Sequence, residues 1–156
     1  MPAPNFRRIT VAIDGSSNAE AALDFAIDLA HRYGSDLVIL SVAPIVPVYI
    51  SSTEPFVPAG VPPSEIDHYR AIAEGGVKRA EAAGVTSVTA LSYEGVVVDE
   101  ILTHLEEHPT DLFVIGSRGL STAKRLLLGS VSTAVVNHAP CPVLVVRPTA
   151  TKAAGG

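Results

Sequence analysis

The sequence predicts an α/β fold: a doubly wound parallel sheet with helices on both faces. Three observations carry this expectation. Apolar runs of strand length alternate with helix-period segments in the order β-α-β-α-β-α-β-α-β, which calls for parallel strands joined by right-handed crossovers. A chain of 156 residues, 47% of them hydrophobic, is enough to bury one substantial core. Glycine and proline punctuate the alternation with neither an internal repeat nor a domain boundary. Residues 1–156 therefore read as a single domain with a core over about 7–148 and a flexible tail over 149–156.

Residues 7–13, "RRITVAI", form the first expected strand. "SNAEAALDFAIDLAHRYG" follows as a helix, with Ser17 and Glu20 in capping-box spacing and Gly34 as its stop. Ala22, Leu23, Ala26, Ile27 and Ala30 make its apolar face, while Asp24, Asp28 and Arg32 lie elsewhere. "DLVILSV", 36–42, is a continuous apolar run, the pattern of a parallel strand covered on both faces. Residues 44–63 hold six of the twelve prolines and predict a long, mobile loop at the carboxyl end of that strand. A helix is expected over Ser64–Ala83, with Asp67 in its cap and Gly84 at its end, weakened in the middle by Gly75 and Gly76. "TSVTALS", 86–92, is a weaker third strand. Residues 97–107 predict an amphipathic helix on Val98, Ile101, Leu102 and Leu105, stopped near Pro109. "TDLFVIG", 110–116, is the fourth strand, Ser130 to about His138 the last helix, and "CPVLVVR", 141–147, the fifth strand.

Composition excludes several classes of function. The single Cys141 forbids an internal disulfide, and five histidines without metal-ligand spacing predict no zinc site. His31, His68, His104 and His108 read as helix-surface residues. The apolar stretch near the start ends at Asp14, too short for a signal peptide, and no run approaches the ~20 apolar residues of a membrane span. A cytoplasmic protein is expected. A net charge of -5 and a pI near 5.4 argue against tracking nucleic-acid phosphates, the basic pairs being isolated, "RR" at 7–8 and "KR" at 78–79 and 124–125.

In a doubly wound sheet, ligands sit beyond the carboxyl ends of the strands. Two strands end in residues suited to chemistry, the first in "AIDGS" and the fourth in "IGSRG". Glycines at Gly116, Gly119 and Gly129, lacking Cβ atoms, let backbone N–H groups approach a ligand, and the helix that follows aims its N-terminus at the same place. Phosphate is the usual guest, although a glycine turn between strand and helix often binds nothing. Asp14 offers oxygens to ribose or adenine donors or to a phosphate-bound Mg²⁺, the alternative being a turn or cap aspartate. Ser130 and Ser132 suit phosphate oxygens, the alternative for Ser130 being a helix cap; Arg118 is either a phosphate clamp or a surface charge.

"VAIDGS", "DLFVIGSRG" and "LLLGSVSTAVVNHAPCPVLVVR" together resemble the universal stress protein family. Its signature G-x2-G-x9-G-[ST] is met by Gly116, Gly119, Gly129 and Ser130, and the resemblance spans about residues 7–148. It implies a five-stranded sheet of order 3-2-1-4-5, the adenine-nucleotide-binding α-hydrolase-like fold, with an adenine nucleotide across the ends of the first and fourth strands. In the ATP-binding branch the position matched by Asp14 meets the adenosine, and that matched by Val42 meets the adenine edge through its backbone. Gly116, Arg118 and Gly119 match the loop over ribose and phosphates. Gly129, Ser130, Val131 and Ser132 match the phosphate-facing helix start, and Ala12, Ile13 and Ser16 match positions at the first strand's exit. Ala12 and Val97 stand where many relatives carry proline.

The resemblance further implies ATP as ligand, with AMP or cyclic AMP as alternatives, Mg²⁺ accompanying the phosphates, and a homodimer through strand 142–147. A stress-response binding module is favoured over a slow ATP hydrolase, because the chain has no "GK[ST]" and no evident base beside the phosphate loop. Ser130 is a poor nucleophile: His138 lies eight residues, about two turns, along the same helix.

Overall fold

The computed structural model describes residues 5–45, 60–119 and 128–148. Five strands, β1 (Arg8–Ala12), β2 (Asp36–Pro44), β3 (Val88–Gly95), β4 (Leu112–Gly116) and β5 (Val143–Val146), alternate with helices α1 (Ser17–Tyr33), α2 (Pro63–Ala82), α3 (Val97–Glu107) and α4 (Ser130–His138). The sheet has the order β3-β2-β1-β4-β5, and every pairing is parallel. The strand order therefore reverses between β1 and β4, where a crevice opens at their carboxyl ends.

Side-chain alternation along the strands builds a core on each face of the sheet. Ile9, Val11, Leu37, Ile39 and Val114 face α1 and α2, packing on Leu23, Ala26 and Ala80. Leu40, Val42, Phe113 and Ile115 point the other way, onto Ile101, Leu105 and Val135. Each face needs its own helical layer, so all of β4 is buried.

Helix α1 differs from expectation at its start. Its N-cap is Ser16, one residue earlier than the spacing predicted, and the Ser16 hydroxyl accepts the Ala19 N–H at 3.2 Å. Gly15 at φ 83° makes the turn that places Ser16 there. A cap of this kind contributes ~1 kcal/mol. Gly34 closes the helix as expected, in the left-handed conformation at φ 62°.

Helix α2 begins at Pro63, with Pro62 as a cap that makes no side-chain bond. Proline suits this position because its missing N–H has no helical partner there. Asp67 does not cap the helix but pairs with Arg70 at 3.1 Å. The helix also runs unbroken through Gly75 and Gly76. A Cβ on Gly76 would stand 3.1 Å from Ile39, so its absence lets α2 settle closely on the sheet.

Strands β2 and β3 extend beyond their expected ends because they pair with each other as far as Pro44 and Gly95. Strands β4 and β5 are correspondingly shorter than expected. Pro44 and Pro63 thus belong to regular elements and Pro62 caps one, while 46–59 of the expected loop, the basic pair 124–125 and the tail 149–156 lie outside the described residues.

The buried face of α3 corrects two expectations. Val97, Ile101 and Leu105 pack inward, whereas Val98 and Leu102 remain half-buried. His104, expected at the surface, is only 3% exposed. Its Nδ1 lies 3.1 Å from the Tyr93 hydroxyl on β3, a partner that makes burial of the imidazole tolerable. Among the described residues, no helix is long and apolar enough to cross a membrane.

Candidate functional site

A cavity of about 240 Å³ opens beyond the carboxyl ends of β1 and β4. Ala12, Ile13 and Asp14 enter it from the exit of β1, and Val42 from β2. The loop after β4 contributes Gly116, Arg118 and Gly119; the first turn of α4 contributes Ser130, Val131 and Ser132. Two expected residues stand outside the lining. Ser16 is occupied in capping α1, and Gly129 is the N-cap of α4, its N–H donating to the Ser117 carbonyl at 2.7 Å.

Asp14 is held by its own turn. Its Oδ1 accepts the Ser16 N–H at 2.9 Å, which leaves Oδ2 directed toward Gly119. A Cβ on Gly119 would lie 2.8 Å from that oxygen. Neither Gly119 nor Gly116 has a positive φ, so close approach, not backbone conformation, requires glycine at both. At Gly116 the neighbour is protein: a Cβ would meet the Asn18 backbone at 2.8 Å. That glycine brings the start of α1 against the end of β4, where the Ser117 hydroxyl donates to Asn18 Oδ1 at 3.1 Å.

The start of α4 supplies donors. Its first turn bonds from the Thr133 N–H to the Gly129 carbonyl, so the N–H groups of Ser130, Val131 and Ser132 precede the intrahelical ladder. With the positive end of the helix dipole behind them, these groups favour an anion. Two side-chain expectations change here. Ser130 does not cap the helix, since Gly129 holds that position. The Ser132 hydroxyl is buried and faces the carbonyls of Ser117 and Gly129 at 2.9 and 3.0 Å, so it ties loop to helix. Its backbone N–H is what it offers a ligand.

Apolar side chains form the opposite wall, among them Leu40, Val97, Ile101 and Ile115. In the sequence Leu40, Ile101 and Ile115 read only as parts of strands and of a helix face, and Val97 only as a position where relatives carry proline. Tyr69 of α2 also borders the cavity and was missed. Its signal lay in the stripe Tyr69, Ala73, Gly76 and Ala80, which recurs at helical spacing and is buried. Burial first, then the negative charges of Asp14 and Glu65, push its phenol above the ordinary 10.0. Among the described residues, no group of three or more histidine, cysteine or carboxylate side chains is arranged to hold a metal. The cavity thus joins an apolar slot, one carboxylate and a helix N-terminus, which suits a flat apolar ring carrying a polar linker and an anionic end.

Residues 5–147 match the Universal stress protein family. Universal stress protein YxiE of Bacillus subtilis is 39% identical over 150 residues, covering 91% of this chain and 99% of that protein. Among solved structures, the universal stress protein UspA from Lactobacillus plantarum superposes with a TM-score of 0.74 at 26% identity, over 92% of this chain and 99% of that one. A universal stress protein in complex with cAMP superposes with a TM-score of 0.68 at 29% identity, over 92% and 98% of the two chains.

Proposed function

The chain belongs to the universal stress protein family, and from that membership we propose that it is a cytoplasmic, single-domain stress-response module that binds ATP and changes its protein partners accordingly. One observation carries the reading: Asp14, the described glycines Gly116 and Gly119 and the first turn of α4 all converge on one cavity at the strand-order reversal. The adenine would occupy the apolar slot beside Val42, the ribose would lie beside Asp14, and the phosphates would face Gly119 and α4. A related universal stress protein has been solved in complex with cAMP, which supports adenine as the base and keeps cyclic AMP and AMP as competing ligands.

Mg²⁺ would arrive with the phosphates, since this ion is commonly held by one or two carboxylates and substrate oxygens. Asp14 is the one carboxylate among the described lining residues, and Oδ2 is its oxygen not engaged by Ser16. Binding is favoured over hydrolysis. Among the described lining residues, the sole carboxylate is already placed against the glycine loop, and there is no histidine or lysine to serve as a base.

A homodimer through 142–147 completes the proposal. Strand β5 lies at the sheet edge, and Val143, Leu144 and Val145 stay half-buried within one chain. Purified protein should release an adenine nucleotide identifiable by mass spectrometry, and calorimetry should then give saturable ATP binding that strengthens with Mg²⁺. Absence of binding for ATP, AMP and cyclic AMP alike would overturn the reading. Hydrolysis at the ~1 to 100 s⁻¹ of kinases would replace it with an enzyme.

A further inference from the structure

We propose that Tyr69 is a specificity-determining residue of this site, its hydroxyl pairing with the Asp14 carboxylate across the cavity to recognise a ribose hydroxyl; the inference rests on the nucleotide reading above. Tyr69 enters from α2, whereas Asp14 comes from the exit of β1, so the two approach the cavity from separate elements. Only 8% of Tyr69 is exposed, yet it borders the cavity. None of the hydrogen bonds among the described residues uses its hydroxyl. Its backbone is fixed, because the buried Ser41 hydroxyl donates to the Tyr69 carbonyl at 2.7 Å. Ser41 directly precedes Val42, so this bond sets α2 in register with the strand end that lines the cavity. The His68 ring meets the Tyr69 ring edge-on at 5.4 Å.

The chemistry of the two groups is complementary. With its phenol pushed upward by burial and by Asp14, Tyr69 stays protonated at neutral pH and is a donor there. Asp14, when ionised, only accepts. A group that accepts from one and donates to the other is a hydroxyl. Ribose presents two such hydroxyls, whereas adenine accepts and donates only through separate atoms of its edge, which this reading places in the apolar slot beside Val42, so the pair is assigned to the sugar. A sugar lacking that hydroxyl would leave both protein groups without their partner, which is the condition under which discrimination is largest.

The test is calorimetric titration of wild type, Tyr69→Phe and Asp14→Asn with ATP, 2′-deoxy-ATP and 3′-deoxy-ATP. Wild type should bind one deoxy nucleotide roughly three- to tenfold more weakly than ATP, the range of a single net hydrogen bond. Tyr69→Phe, which keeps the ring and its packing, should weaken ATP and lose part of the discrimination, the share supplied by Asp14 persisting. Wild-type ATP affinity in Tyr69→Phe, or full discrimination persisting in it, would overturn the role of Tyr69 alone. Equal wild-type binding of all three nucleotides would do the same. If wild type binds no adenine nucleotide, the functional reading fails first and Tyr69 with it.

Discussion

Two glycines of one signature are required for different physical reasons, and substitution separates them. At Gly119 an added Cβ would meet, among the described residues, Asp14 Oδ2, a side-chain oxygen in the cavity. Gly119→Val should therefore displace Asp14 and weaken ATP by roughly tenfold or more, ~1.4 kcal/mol, with little change in melting temperature. Equal calorimetric affinities for variant and wild type would detach the loop from the ligand. At Gly116 the added Cβ would meet the Asn18 backbone, which cannot swing aside. Gly116→Ala should instead destabilise the fold by about 1–3 kcal/mol, the ordinary range of overpacking, read from urea denaturation. An unshifted denaturation midpoint would show that α1 yields there at no cost. The spacing of these glycines was legible in the sequence. Their separate reasons were not, because Asn18 and Asp14 approach the loop only after α1 docks beside β4.

Helix α3 carries a titratable group on its buried face. His104 is flanked by Tyr93 from β3, by His108 stacked at 4.5 Å and 16°, and by the charges of Arg8 from β1 and Glu107. Its Nε2 is buried with no hydrogen-bond partner among the described residues. Burial chiefly, with His108 and Arg8, lowers its pKa below 6.5, against a smaller opposing effect of Glu107. The unfolded chain therefore takes up this proton first as pH falls. Stability contributed by neutral His104 is present above about pH 6.5 and is lost as pH drops below it through the folded-state pKa. Urea titrations between about pH 7.5 and pH 5.5 should show a fall in stability that is smaller in His104→Gln. An identical pH slope in both proteins would remove His104 as its source. Periodicity placed α3 at 97–107 with Ile101 and Leu105 on its buried face, but added Val98 and Leu102 and left out His104, since a histidine reads as polar until Tyr93 is known to meet it.

Across the whole molecule, the strand order leaves β3 and β5 as edges. On β5, Leu144 packs toward the α1 layer, while Val143 and Val145 pack toward the α3 and α4 layer. A second copy pairing along the same strand would satisfy its open N–H and C=O groups and cover the half-buried valines, the self-complementary arrangement common in homodimers. Val145→Lys should accordingly yield monomers or insoluble protein by light scattering. A soluble, unchanged dimer would place the interface on another surface.

The sequence by itself determined the order of elements, the parallel crossovers and the position of the glycine loop, because these follow from local periodicity and from turn residues such as Gly34. It also singled out Asp14 and the start of α4, which the fold brings to one cavity, since both stand at strand or helix ends. Only the tertiary structure decided which strand faces meet which helical layer, and hence that Tyr69 borders the cavity and His104 is buried. The physical reason is range. A residue's helical face can be read from neighbours three or four positions away, but burial and partnership depend on side chains from distant elements, as Ser41 reaches Tyr69 across 28 residues.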